Sequence, residues 1–257
     1  MCVSATKSLN LREIMATIGV NLQAVRQRIA DAANACGRDP GTVGLIAVGK
    51  TFGADAIAAA YGHGQRAFGE NYAQEALGKI GALAALDIEW HYIGPVQSNK
   101  TRAIAENFAW VHSVERAKVA ERLSAARPPT LAPLQVCIQV NIGDEDSKSG
   151  VAPPQALALA RTVSVLPGLR LRGLMAIPPA TEDEAQQRRY FAAVRHLSDD
   201  LVAAGIALDT LSMGMSSDLE AAIAEGATLV RVGTAIFGAR RPLEVTRITE
   251  VAEKPLK

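Results

Sequence analysis

A chain of 257 residues, 49% apolar and only 4% aromatic, carries enough aliphatic material for one large core and suits a single α/β domain. Its formal net charge of +1, with the signs interspersed, excludes the basic stripe of a nucleic-acid binder and a polybasic membrane anchor, so a small molecule is the expected partner. Cys2, Cys36 and Cys137 lie far apart, the four histidines are scattered, and CxxC, HExxH and HxxxH spacings are lacking, so neither a disulfide nor a metal is expected.

Arg12 and Glu13 break up the first apolar residues, so no secretory segment is read at the N-terminus. No stretch nears the roughly 20 apolar residues of a bilayer span, and a cytoplasmic protein is expected. Leu11, Ile14, Met15, Ile18, Leu22, Val25 and Ile29 recur at helical spacing and predict a long opening helix. It should stop near Cys36-Gly37, where glycine can take the left-handed C′ position. Eight short apolar segments follow, at 45–49, 66–69, 88–94, 110–114, 135–142, 169–177, 208–213 and 229–236. Helical stretches separate them, among them 71–83, 116–126, 154–165, 182–204 and 219–224. Crossovers of that length demand parallel pairing, and the expected fold is a single (β/α)8 TIM barrel with an N-terminal helix. An open doubly wound sheet is the rival, but Gly49-Lys50-Thr51-Phe52-Gly53 after the first strand lacks its glycine-rich phosphate loop. The chain reads as one domain over 1–257 with a core of about 10–240, and Pro242 and Pro255 mark a short tail.

In a β/α barrel the chemistry sits at the C-terminal ends of the strands. Lys50 follows the first strand at once; it is either an exposed strand-end lysine or an amine able to form an imine with a carbonyl. Asn71, after the second strand, reads as a helix N-cap or a site residue, and Ser98 and Asn99 pose the same choice after the third. Cys137 falls in an apolar run and reads as a buried thiol. The stretch Asn141 to Gly150 reads as a polar loop with turn chemistry and mostly solvated charges. Ser216 and Ser217 precede a helix, and Gly233-Thr234 ends the eighth strand; loops at these two places form the phosphate site of many barrels. Arg231 lies inside an apolar strand and needs a partner, either a carboxylate or the ring nitrogen of a cofactor. An imine-capable lysine, a phosphate cradle and a buried arginine in one barrel mouth point to pyridoxal 5′-phosphate (PLP). An arginine at the ring nitrogen would leave that nitrogen unprotonated and restrain carbanion chemistry.

Longer blocks carry a resemblance. Ala47-Val48-Gly49-Lys50-Thr51, Phe68-Gly69-Glu70-Asn71-Tyr72 and the run from Trp90 to Lys100 resemble the YggS/PROSC family of pyridoxal phosphate homeostasis proteins. So do Val140-Asn141-Ile142 with Ser147 to Gly150, Leu171 to Pro178, Leu211 to Ser216 with Asp218 to Ile223, and Val230 to Gly238. Gly49 departs from the family, which commonly has serine before the lysine; little consequence is expected. The resemblance implies the barrel of alanine racemases, a fold-type III PLP barrel without their extra β domain. It implies Lys50 as the Schiff-base lysine, Arg231 at the pyridine nitrogen, and Ser216, Gly233 and Thr234 at the phosphate. Asn71 would lie near the cofactor, with Ser212 and Met213 as further candidates. Members are regarded as carriers or regulators of intracellular PLP and amino-acid pools without a confirmed reaction. A monomeric, non-catalytic carrier is expected, with PLP-dependent apoenzymes as candidate partners.

The alternative is a small PLP-dependent racemase. Racemisation needs a base on each face of the cofactor, and Tyr72 or Tyr92 would have to supply the one that alanine racemases take from their added domain. A cofactor-free imine aldolase is a third reading. Such barrels often carry their lysine on the sixth strand, and 169–177 has none.

Overall fold

The computed structural model describes residues 11–143 and 149–238. Residues 144–148, in the middle of the polar loop, and the tail beyond 238 lie outside it. Eight parallel strands close into a barrel in chain order: β1 (Gly44–Val48), β2 (Ala67–Glu70), β3 (Glu89–Tyr92), β4 (Trp110–Val114), β5 (Leu134–Val140), β6 (Leu169–Ala176), β7 (Thr210–Ser212) and β8 (Leu229–Val232). β8 pairs with β1 in the register Ala47 to Val232, which closes the ring and disposes of the open sheet. The helices are α1 (Leu11–Ala35), α2 (Ala54–Gly62), α3 (Ala73–Ala82), α4 (Thr101–Asn107), α5 (Ala117–Ala126), α6 (Ala156–Ser164), α7 (Glu184–Ala203), α8 (Leu219–Ala224) and α9 (Thr234–Phe237).

α1 buries Ile18, Leu22, Val25 and Ile29 and packs on α2, α8 and α9. Each such side chain contributes roughly 1.5–3 kcal/mol on leaving water. Met15, expected on the same stripe, is exposed. Gly37, at φ 70°, ends the helix. Arg38 N–H donates to Ala33 O and Gly37 N–H to Asn34 O, the paired bonds of a Schellman cap.

One expected strand is overlong. The apolar run 229–236 is strand only to Val232; after Gly233 the chain turns into α9. A short buried run has no periodicity that separates strand from helix, so hydrophobicity alone merged the two. The strand's end matters, because it places Gly233 and Thr234 at the barrel mouth. Cys137 is buried, and burial pushes its thiol up to about 12, which makes it inert. Among the described residues no helix is long and apolar enough to cross a membrane.

Candidate functional site

A cavity of about 280 Å³ opens at the C-terminal ends of the strands, near the lower limit of small-ligand pockets, roughly 300–1,000 Å³. Lys50, Asn71, Ser216, Arg231, Gly233 and Thr234, six of the seven expected site residues, line it together. Val48, Phe52, Ile93, Ile177 and Met215 add apolar walls, and Ser217 and Gly238 complete the lining. Lys50 and Arg231 are basic, and no carboxylate lines the space among the described residues, so the cavity favours an anion. Met213 is the exception: its side chain is wholly buried in the aliphatic core and lies off the lining.

The turn bearing Lys50 is held from below. Phe52 N–H donates to Gly49 O at 3.0 Å, so Lys50 and Thr51 are the middle of a tight turn, and Thr51 sits at φ 69°. A β-branched residue there costs on the order of 1–3 kcal/mol and persists only where its surroundings impose it. Those surroundings are a buried ion cluster. Lys79 Nζ, on the inner face of α3, donates to Gly49 O at 2.8 Å, Glu70 Oε1 at 2.7 Å and Glu75 Oε1 at 2.6 Å. Thr51 N–H donates to the same Glu75 oxygen at 2.7 Å. The turn is therefore gripped at the carbonyl before Lys50 and at the amide after it. Gly49 gives the cluster room: a Cβ there would lie 2.4 Å from Ile57 Cδ1 and 2.8 Å from Glu70 Oε1. Serine at this position would force Ile57 to move, so the departure at Gly49 has a packing consequence that the sequence did not reveal.

Burial raises the Glu70 carboxyl from 4.5 to about 7, with Lys79 opposing the shift. Between those values the unfolded chain ionises this group while the folded protein keeps its proton, so stability falls as pH rises. Over that window the loss is at most about 3 kcal/mol. Buried His91 and His112 are shifted down and contribute the opposite slope, but they are common to both proteins of the comparison. Glu70→Gln should therefore be stabilised relative to wild type as pH rises from 4.5 to 7. Urea denaturation at several pH values checks this, and parallel curves for the two proteins would refute it.

Arg231 is buried and its partners are not carboxylates. Nη1 donates to the carbonyl and, at 2.8 Å, to the hydroxyl of Ser212; Nη2 donates to Ala176 O at 2.9 Å. Among the described residues it has no ion pair, so the carboxylate reading gives way to an arginine moored on β6 and β7. Burial pushes the guanidinium down to about 10, with Asp218 opposing, and it stays charged at neutral pH.

Ser216, Ser217, Gly233 and Thr234 form a polar part of the same lining, the rim. Neither serine caps α8; its N-cap is Asp218, whose carboxylate accepts from Met215 N–H. α8 has six residues and α9 four, so no macrodipole carries the anion preference, which rests on Lys50, Arg231 and the hydroxyls of the lining. A Cβ on Gly233 would lie 3.2 Å from Val48 O, a close approach of β8 to β1. Asn71 does not cap either: Tyr72 holds the N-cap of α3, and Asn71 Oδ1 is buried with no hydrogen-bond partner among the described residues. An orphaned polar atom on a cavity wall is a place for a ligand's polar group. Ser98 enters a 3-10 turn ahead of α4. Tyr92 is buried with its hydroxyl on Pro95 O, Tyr72 is exposed, and neither lines the cavity.

α1 braces this rim, which sequence reasoning missed. Arg28 donates to Ser216 O at 3.1 Å and pairs with Glu220, and Asn21 Nδ2 donates to Ile236 O at 3.0 Å. Phe52 and Phe237, with centroids 5.1 Å apart, tie the lysine loop to α9. Lys79 was legible in principle, as a lysine in step with buried Ala73 and Ala76 on the apolar face of α3. For Asn21 and Arg28 no such signal exists.

Fold and cavity together define a β/α barrel with a small anion-accepting site beside a lysine at its mouth. The model of the alanine racemase N-terminal domain matches residues 20–241. The pyridoxal phosphate homeostasis protein of Pseudomonas aeruginosa is 61% identical over 226 residues, 88% of this chain and 97% of that protein. Its namesake in Escherichia coli K12 is 50% identical over 234 residues, 88% of this chain and 98% of that one. The structure of PipY from Synechococcus elongatus with PLP bound superposes with a TM-score of 0.77 at 39% identity, over 86% of this chain and all of PipY. Alanine racemase from Corynebacterium glutamicum shares the fold, with a TM-score of 0.65 at 18% identity over 88% of this chain and 61% of that enzyme. The chain belongs to the alanine racemase N-terminal domain family, among its pyridoxal phosphate homeostasis proteins.

Proposed function

We propose that this chain binds PLP at the barrel mouth and acts as a non-catalytic carrier in PLP homeostasis, passing the cofactor to apoenzymes that need it. The observation that carries the reading is the convergence of Lys50, Arg231, Asn71 and the Ser216, Gly233, Thr234 rim on one small cavity with no carboxylate among its described lining residues. Lys50 holds the aldehyde as a Schiff base; Ser216, Ser217, Gly233 and Thr234 hold the phosphate; Arg231 donates to the ring nitrogen, and Asn71 takes a polar ring substituent. Val48, Ile93, Ile177 and Met215 shield the ring from water. PLP supplies an electrophilic carbon for amines and, where its nitrogen is protonated, an electron sink. Arg231 is charged and only donates, so it withholds that proton. The names of the P. aeruginosa and E. coli relatives and the bound PLP in PipY support the cofactor. The placement of Tyr72 and Tyr92 off the cavity supports carriage over racemisation, since neither candidate second base reaches it.

Borohydride reduction of the PLP-loaded protein, followed by peptide mapping, tests the assignment. A pyridoxyl group on Lys50 is expected; protein that takes up no PLP, or carries the label on another lysine, would sink it. Sustained loss of optical activity with any amino acid, abolished in Lys50→Ala, would replace carriage by catalysis.

A further inference from the structure

A single file of polar side chains crosses the barrel interior from the far end of β3 to the cavity. Glu89 Oε1 lies 2.8 Å from His91 Nε2, and His91 Nδ1 lies 2.9 Å from His112 Nε2. His112 Nδ1 lies 2.8 Å from Ser212 Oγ, which lies 2.8 Å from Arg231 Nη1. The four inner members are buried; Glu89, the first residue of β3, is 51% exposed at the end opposite the mouth.

The two ends decide which way every hydrogen points. A guanidinium only donates, so Ser212 Oγ accepts from Arg231 and gives its own hydrogen to His112 Nδ1. His112 then carries its proton on Nε2 and donates it to His91 Nδ1, and His91 donates from Nε2 to the Glu89 carboxylate. The reverse order would set a His91 lone pair against that carboxylate. Burial holds both imidazoles below the usual histidine range, and the bond from His91 holds the Glu89 carboxyl below its own, so the two rings are neutral and Glu89 is charged. Trp110 stacks on His91 at 5.4 Å and 14°, which fixes the ring's plane.

We infer that Glu89, His91, His112 and Ser212 form a one-way hydrogen-bond chain that positions the Arg231 guanidinium for its ligand, with Glu89 as counter-charge at the far end of the barrel. In the low-dielectric interior each donated bond polarises the next, so a change at Glu89 reaches Arg231 without touching the cavity. The effect on a cofactor rests on the PLP reading; the hold on Arg231 does not.

Cofactor-free protein labelled with 15N at histidine and arginine tests the chain by NMR, in wild type and in Glu89→Ala, Glu89→Gln and Ser212→Ala. Both imidazoles should be Nε2–H tautomers at neutral pH. The Arg231 guanidinium hydrogens should exchange roughly tenfold faster in Glu89→Ala and Ser212→Ala, the equivalent of one lost charge-assisted bond. Glu89→Gln, whose amide oxygen still accepts from His91, should restore the wild-type rate. An Nδ1–H or doubly protonated ring, or an exchange rate unmoved in Glu89→Ala, would overturn the inference. With PLP labelled at its ring nitrogen, Glu89→Ala should shift that 15N resonance and Glu89→Gln should not; an unmoved resonance in both would sever Glu89 from the ligand. Wild-type protein that binds no PLP would refute the cofactor reading alone, because the exchange rates of the cofactor-free protein still decide the chain.

Discussion

Lys50→Ala is expected to fold normally and to lose PLP affinity by on the order of a hundredfold or more, about 3 kcal/mol. The turn does not hang on the Lys50 side chain, because Lys79 grips Gly49 O and Glu75 grips Thr51 N–H. Stability should therefore change by less than about 0.5 kcal/mol. What disappears is the covalent link, leaving the Ser216, Gly233 and Thr234 rim and Arg231 to hold the phosphate and ring by ordinary contacts. Equilibrium dialysis and urea denaturation on the same preparations separate the two quantities. Affinity within a few-fold of wild type would remove Lys50 from the site, however well the protein folds.

Lys79→Ala should do the reverse and strike the fold first. Its ammonium has three acceptors for three hydrogens, one of them an oxygen of the wholly buried Glu70 carboxyl. Removing the cation leaves the Glu70 carboxyl buried, protonated and without its donor, and frees the Gly49 end of the turn, at a cost of roughly 1–3 kcal/mol. Adding Glu70→Gln should recover part of the loss, because a neutral amide does not call for the lost cation. Denaturation of the two single variants and the double variant measures the coupling. A Lys79→Ala cost below about 1 kcal/mol, or strict additivity with Glu70→Gln, would show that the cluster does not hold the turn.

Much of this was legible in residue order. Lys50, Asn71, Ser216, Arg231, Gly233 and Thr234 were each singled out by strand-end position, turn chemistry or an incongruous charge in an apolar run, and the barrel gathers all six on one cavity. Met213 shares a strand-end loop with Ser216, yet its side chain points into the core. Position along the chain places a residue near a mouth, but not which way its side chain turns after an irregular strand end. Asn71, Ser216 and Ser217 matched the composition of helix caps, yet Tyr72 and Asp218 take those positions. Cap propensity names suitable residues, and backbone geometry picks among neighbours a residue or two apart.

Residue order alone carried the alternation of eight short apolar runs with helices, the stop of α1 at Gly37 and the residue types at the strand ends. These are local properties, written in hydrophobic period and in the backbone freedom of single residues. Only the closed barrel decided that Arg231 would be moored by Ser212 and Ala176, that Lys79 would reach the Lys50 turn, and that His91 and His112 would join Glu89 to Arg231. Those partners come from strands and helices remote in sequence; His112 and Ser212, 100 residues apart, meet across the barrel interior. Periodicity says which side of a strand faces inward, and ring closure says what waits there.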